Sequence, residues 1–230
     1  MLLGAPLRGP KSTSCAARRN WGPVGGPPIS HQAAERRGEE GGFNPEGGTR
    51  NFRFATRTSH SPLHQYLRLA RSARRSRDGY FLRAEAFFNV ATEIERLDTD
   101  EPGAVISPPV INNYGGRSLH EQSHGESFLA LMRHRFNGRG FYILDEPEAA
   151  LSPTRQLAVL RRLHELTREG AQFIIATNSP ILMAYPDARI LEIGRGKLHE
   201  VAYTETEHYR VARRFLGDHQ KALRELLDGD

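Results

Sequence analysis

The sequence has a single cysteine, Cys15, so no disulfide can close within the chain. That suits a reducing compartment, and a cytoplasmic location is expected. No run of eighteen apolar residues occurs, which excludes a helical membrane span. Acids are missing from the first 34 positions, Glu35 being the first. The opening "MLLGAP" is too short for the apolar region of a secretory signal. Aromatics are sparse among the arginines before Phe43, which weakens a base-stacking surface there.

What is present divides unevenly. Residues 1–77 hold 14 Lys or Arg against 4 Asp or Glu, whereas 78–230 are net acidic. The basic third could meet nucleic acid or another polyanion, or it could be a solvated arm. Residues 1–41 are dominated by Gly, Pro, Arg and Ser and keep neither a 2.0 nor a 3.6 period, so they read as disordered or aberrant. Residues 42–230 read as one domain. At 38% hydrophobic residues the whole chain is polar, yet it can build a core.

Periodicity predicts strands at 51–57 and 79–85, helices at 61–75 and 86–98, a loop over 99–116, and a helix over 125–137. Strand 140–144, helix 153–168, strand 172–177, a short helix near 180–185, strands 189–194 and 197–203, and a helical end over 206–227 follow. Helices alternating with short apolar strands from 125 onward imply an α/β fold with a mostly parallel sheet flanked by helices.

Such sheets place ligands at the carboxyl ends of their strands. "GFYILDEP" ends a buried strand on two acids, Asp145 and Glu146, ahead of Pro147. An aspartate there can support Mg2+ on a nucleotide's phosphates, and a second carboxylate can orient a water. The same two acids could instead cap the next helix. Ser123, Gly125 and Glu126 precede an apolar helix by one turn, an anion site or a plain capped start. "FIIATNSP" places Asn178 at a strand end, within reach of a phosphate or serving only a turn.

Together these elements resemble the C-terminal half of an ATP-binding-cassette ATPase, of the soluble ABC-type AAA family with no transporter attached. "QSHGE" (122–126) resembles the cassette signature, "FYILDEPEAALSP" resembles Walker B followed by the D-loop, and "IIATNSPIL" resembles the switch loop. "YFLRAE" resembles the strand leading to the Q-loop, with Glu85 at the glutamine's place. The resemblance spans about residues 43–203. It implies a P-loop NTPase-like sheet and hydrolysis of ATP with Mg2+ by a head-to-tail homodimer. Asp145 would support Mg2+ and Glu146 would polarise the attacking water. Ser123 and Gly125, with Glu126 beside them, would meet the γ-phosphate across the dimer. The stretch from Ala149 to Ser152 would touch the other subunit.

Two departures accompany the resemblance. Asn178 stands where a histidine is usual; it is shorter and cannot become cationic, which predicts weakened hydrolysis with binding spared. Ser152 stands where an aspartate is usual. The phosphate loop has one candidate, "GAPLRGPKST" (4–13). Pro10 removes an N–H that a phosphate nest needs, and no strand is expected before Gly4. The domain is therefore expected to be incomplete at its N-terminus, with residues 1–41 replacing the true nucleotide-binding start and truncation as one cause. ATP binding and hydrolysis is the first reading, provided a phosphate loop is present or supplied. The alternative is a catalytically inactive, degenerate cassette acting as an interaction module.

Overall fold

"YFL", "FYIL" and "FIIA" are apolar without alternation, as strands covered on both faces must be. The computed structural model describes residues 2–4, 47–49, 78–99, 108–194 and 197–228. Its elements are β1 (Leu2–Gly4), β2 (Asp78–Arg83), α1 (Phe87–Thr99), α2 (His124–His134), β3 (Gly140–Asp145) and α3 (Pro153–Glu169). They continue as β4 (Gln172–Ala176), α4 (Pro180–Met183), β5 (Arg189–Gly194), β6 (Lys197–Val201), α5 (Glu207–Gly217) and α6 (His219–Leu227). Short 3-10 turns occur at Val110–Tyr114, Pro147–Ala150 and Tyr203–Glu205.

The strands form one sheet in the order β2-β3-β4-β1-β5-β6. β2, β3 and β4 are mutually parallel, with Arg83 beside Asp145 and Asp145 beside Ala176 in register. β1 is antiparallel to both β4 and β5, so β5 points the same way as the parallel three, and β6 runs against β5. The expected α/β fold with flanking helices forms; its parallel part is the three strands β2, β3 and β4, and the ladders made by β1 and β6 are antiparallel.

Tyr80, Leu82, Tyr142, Leu144, Phe173 and Ile175 face the helices and join Val90, Ile94, Phe128, Leu131, Val159 and Leu163 in the main core. Phe81 and Ile143 point to the other face, with Phe141 packed against them. Each such side chain contributes roughly 1.5–3 kcal/mol relative to exposure, so the buried side chains of the three parallel strands hold the sheet rigid under its carboxyl edge. α3 starts on Ser152, whose hydroxyl accepts from the Arg155 N–H at 3.4 Å, with Pro153 as first helical residue. It stops at Gly170, whose φ of 109° is open to glycine.

The edge opposite the strand ends is closed by ionic and aromatic contacts. Arg135 donates two bonds to Asp78, at 2.9 and 2.7 Å. The Tyr142 hydroxyl accepts from the Asn137 N–H at 2.7 Å, and its ring stacks on Phe136 at 4.1 Å. Burial pushes the Tyr142 hydroxyl up to about 12. Burial alone would raise Asp78, yet the Arg135 guanidinium holds it below the usual carboxylate range.

Three expectations change. A strand does form before the phosphate-loop candidate: β1 pairs on both sides despite being three residues long. Its pairing comes from tertiary context, since β4 and β5 each turn a backbone edge toward the slot between them. It also runs the wrong way for a phosphate loop. Leu2 pairs with Ala176 near the carboxyl edge, and Gly4 with Ile174 and Arg189 toward the amino edge. Second, the helical end is two helices, broken at Gly217–Asp218, where the Asp218 carboxylate accepts from the Lys221 N–H at 3.0 Å. Third, Glu85 lies in the turn after β2 rather than in the strand. The rest of the candidate loop after Gly4, the strand at 51–57, the helix at 61–75 and the 1–41 arm beyond β1 lie outside the described residues.

Candidate functional site

The parallel register delivers Arg83, Asp145 and Ala176 side by side at the carboxyl edge, and the chain adds Glu85, Glu146 and Asn178 just beyond it. Asp145 is the last residue of β3 and is 3% exposed. Arg83 reaches it, Nε to Oδ2 at 3.6 Å, and also reaches Glu85 at 3.6 Å. An arginine beside a buried aspartate offsets part of the cost of keeping that carboxylate out of water. Glu85 itself is largely exposed.

Glu146 leaves the strand in a left-handed conformation, φ 47° and ψ 50°. A non-glycine residue there costs of order 1–2 kcal/mol, so the surrounding contacts must hold it. They are visible. The Glu146 N–H donates to the Ala176 carbonyl at 2.9 Å, and Pro147 starts the 3-10 turn. Glu146 is thus the N-cap residue of that turn, but its side chain makes no capping bond. Its carboxylate instead accepts from the Asn178 side-chain amide at 3.3 Å.

Glu148, which carries no role in the sequence reading, binds the same loop. Its carboxylate accepts from the Thr177 hydroxyl at 2.7 Å and from the Asn178 backbone N–H at 2.6 Å. Behind it, the buried Ser179 hydroxyl donates to Gln156 at 2.5 Å, and Gln156 donates to the Leu151 carbonyl at 3.1 Å. The available signal was adjacency. Once β3 and β4 are neighbours, residues one to three past each strand end are brought within reach of one another.

Ser123, Gly125 and Glu126 form a second group, at the start of α2 against the 3-10 turn and the first turn of α3. Glu126 accepts from the Ser123 hydroxyl at 2.7 Å and from its backbone N–H at 3.0 Å, and these bonds hold its carboxyl below the usual range. Arg155 donates to the Ser123 hydroxyl at 3.2 Å and pairs with Glu126 at 3.4 Å. Glu126 therefore supplies, from within the chain, the anion that this helix start and Arg155 attract. A Cβ on Gly125 would meet Arg155 Nη1 at 2.5 Å and the Ala150 carbonyl at 2.9 Å, so only glycine fits between the two helices. Ser152 belongs to this group as the N-cap of α3.

Among the described residues no three or more His, Cys, Asp or Glu gather as a metal cage. The donor set at the edge is one buried carboxylate, Asp145, with Glu146 next to it. That fits an Mg2+ ion carried on phosphates, which takes one or two protein carboxylates, and does not fit an all-protein site. No helix among the described residues is long and apolar enough to cross a membrane.

Comparison with known proteins identifies a family. Residues 55–184 match the family described as "AAA domain, putative AbiEii toxin, Type IV TA system". No curated protein matches the chain. The matched segment holds β2, β3 and β4 with every candidate residue, and it covers more than half of the 230 residues. The chain belongs to this AAA-domain family, and its parallel strands with flanking helices are those of a P-loop NTPase-type domain.

Proposed function

We propose that the domain binds MgATP at the carboxyl edge of β2, β3 and β4 and hydrolyses it in the manner of an ABC-type ATPase. The observation that carries this reading is the pair Asp145–Glu146 at the end of a central parallel strand, with the Asn178 amide bonded to Glu146. Asp145 would hold Mg2+ on the phosphates, directly or through water. Mg2+ would supply charge stabilisation for the transferred phosphoryl group. Glu146 takes the proton side of the reaction: its carboxylate orients and polarises the attacking water. Asn178, donating to Glu146, keeps that carboxylate turned along the edge. Glu85 lies within the same edge and is suited to hold a water beside the metal.

Ser123 and Gly125, with Glu126 and Ser152, fit the complementary role. In a head-to-tail homodimer they would face the γ-phosphate held by the other subunit. For that, a phosphate must displace the Glu126 carboxylate from Ser123 and Arg155, an exchange of one anion for another. Phosphoryl transfer in such sites is chiefly positioning and electrostatics, which a rigid sheet edge provides.

The test is equilibrium binding of a fluorescent ATP analogue to the full chain with Mg2+, with Asp145→Asn as control. Micromolar binding lost in the variant is expected. Absence of binding by the parent chain would overturn the reading and leave the non-catalytic interaction module as its replacement.

A further inference from the structure

Two donors from consecutive residues converge on one acceptor at the edge of the sheet. The Thr177 hydroxyl and the Asn178 backbone N–H reach different oxygens of Glu148, at 2.7 and 2.6 Å. The Thr177 bond has the length of a charge-assisted O–H contact, and the Asn178 N–H approaches at least as closely. A carboxylate is the one side chain that offers two acceptor oxygens and no donor, so it suits this pair of donors better than an amide or hydroxyl. The usual role of an acid in a first helical turn, answering the helix dipole, does not explain the geometry. The turn is four residues long, and the carboxylate points across to the loop after β4.

We infer that Glu148 is a positioning residue that ties the loop after β4 to the acidic turn after β3, and so sets the Asn178 side-chain amide against Glu146. The inference rests on the proposed roles of Glu146 and Asn178. With its backbone held in this place, the Asn178 side-chain amide comes within 3.3 Å of Glu146. The left-handed Glu146 backbone needs such a brace, because an unsupported glutamate would relax out of that region. Ser179 has its own tie, through Gln156 to Leu151, and Thr177 accepts from the Ser179 N–H at 3.0 Å. The loop therefore stays anchored at Ser179 when Glu148 is changed, and the effect of a substitution falls on residues 177 and 178.

The experiment compares the full chain with Glu148→Ala, Glu148→Gln and Thr177→Val by amide hydrogen exchange. In Glu148→Ala the Asn178 N–H is expected to exchange about ten- to a hundredfold faster, the loss of one bond to a charged acceptor, while Ile143 and Leu144 in β3 exchange as in the parent. Glu148→Gln keeps one oxygen for that N–H, and the Thr177 hydroxyl can reverse and accept, so most of the protection returns. Thr177→Val removes the hydroxyl's bonds to Glu148 and to the Ser179 N–H but leaves the Asn178 N–H on Glu148, so Asn178 stays protected. In turnover assays Glu148→Ala is expected to lower kcat roughly tenfold or more with KM and the affinity for the fluorescent ATP analogue unchanged, with partial rescue by Glu148→Gln. Parental exchange at Asn178 in Glu148→Ala would overturn the inference. So would fast exchange with a parental kcat. A parent chain that neither binds nor turns over ATP defeats the proposed function instead, and the exchange comparison still decides whether Glu148 positions the loop.

Discussion

The Asn178 amide donates to the Glu146 carboxylate at 3.3 Å, joining residues 32 positions apart across two neighbouring strand ends. The contact couples the residue proposed to polarise water with the loop that a terminal phosphate would approach. On the proposed ABC-type reading, a short amide already engaged with Glu146 would have less reach toward a phosphate than an imidazole in its place.

Glu146→Gln keeps the shape of that contact and removes the charge. MgATP binding should persist, turnover should fall by about a hundredfold or more, and the nucleotide-bound dimer should accumulate. Steady-state kinetics together with sedimentation with and without MgATP check this. Equal turnover in variant and parent would remove Glu146 from the catalytic role.

Asn178→His restores a longer side chain that can become cationic. We expect kcat to rise, by about tenfold, with little change in nucleotide affinity. A fall in kcat would mean that the bond between Asn178 and Glu146 matters more than reach toward a phosphate.

Gly125→Ala pushes a methyl group between Arg155 and the Ala150 carbonyl. Backbone on one side cannot move aside cheaply, so overpacking should cost about 1–3 kcal/mol. Urea unfolding would report it as a lower midpoint with an unchanged slope. The variant should also disturb the Arg155 contacts to Ser123 and Glu126.

At the opposite edge, Asp78→Asn should lower stability by roughly 2 kcal/mol at neutral pH, since both partners are mostly buried and the Arg135 guanidinium loses its counter-charge. The Asp78 pKa is depressed in the fold, so its contribution is full above the unfolded carboxylate value and is lost as pH falls through the folded value. Chemical unfolding of parent and variant should differ steadily from pH 7 to about 5 and converge in more acid solution. A difference that grew toward acid pH would refute the pairing.

Much of the architecture was legible because buried strands and amphipathic helices carry strong periodic signals. Strand 140–144 became Gly140–Asp145, helix 153–168 became Pro153–Glu169, and strand 172–177 became Gln172–Ala176. Asp145, Glu146 and Asn178 stood out because polar residues end apolar runs. Other features depend on which strands are neighbours, and no local window holds that information. β1 is too short for a pattern and exists through its two partners. Glu148 lies in "PEAALSP", a stretch with no periodicity, and gains its meaning from Thr177 and Asn178 some 30 residues on. The left-handed Glu146 backbone was equally invisible, since its sequence neighbours look like an ordinary helix start.

The brevity of β1 has a mechanical consequence. Among the described residues no ladder joins β4 to β5 directly, so three rungs of a reversed strand stitch β2, β3 and β4 to β5 and β6. A seam so short is where the sheet would tear first under load or heat. Outside the sheet, Ile190 in the main core and the Tyr203 hydroxyl, donating to the Pro180 carbonyl at 2.9 Å, are then what hold β5 and β6 to the half bearing Asp145, Glu146 and Asn178.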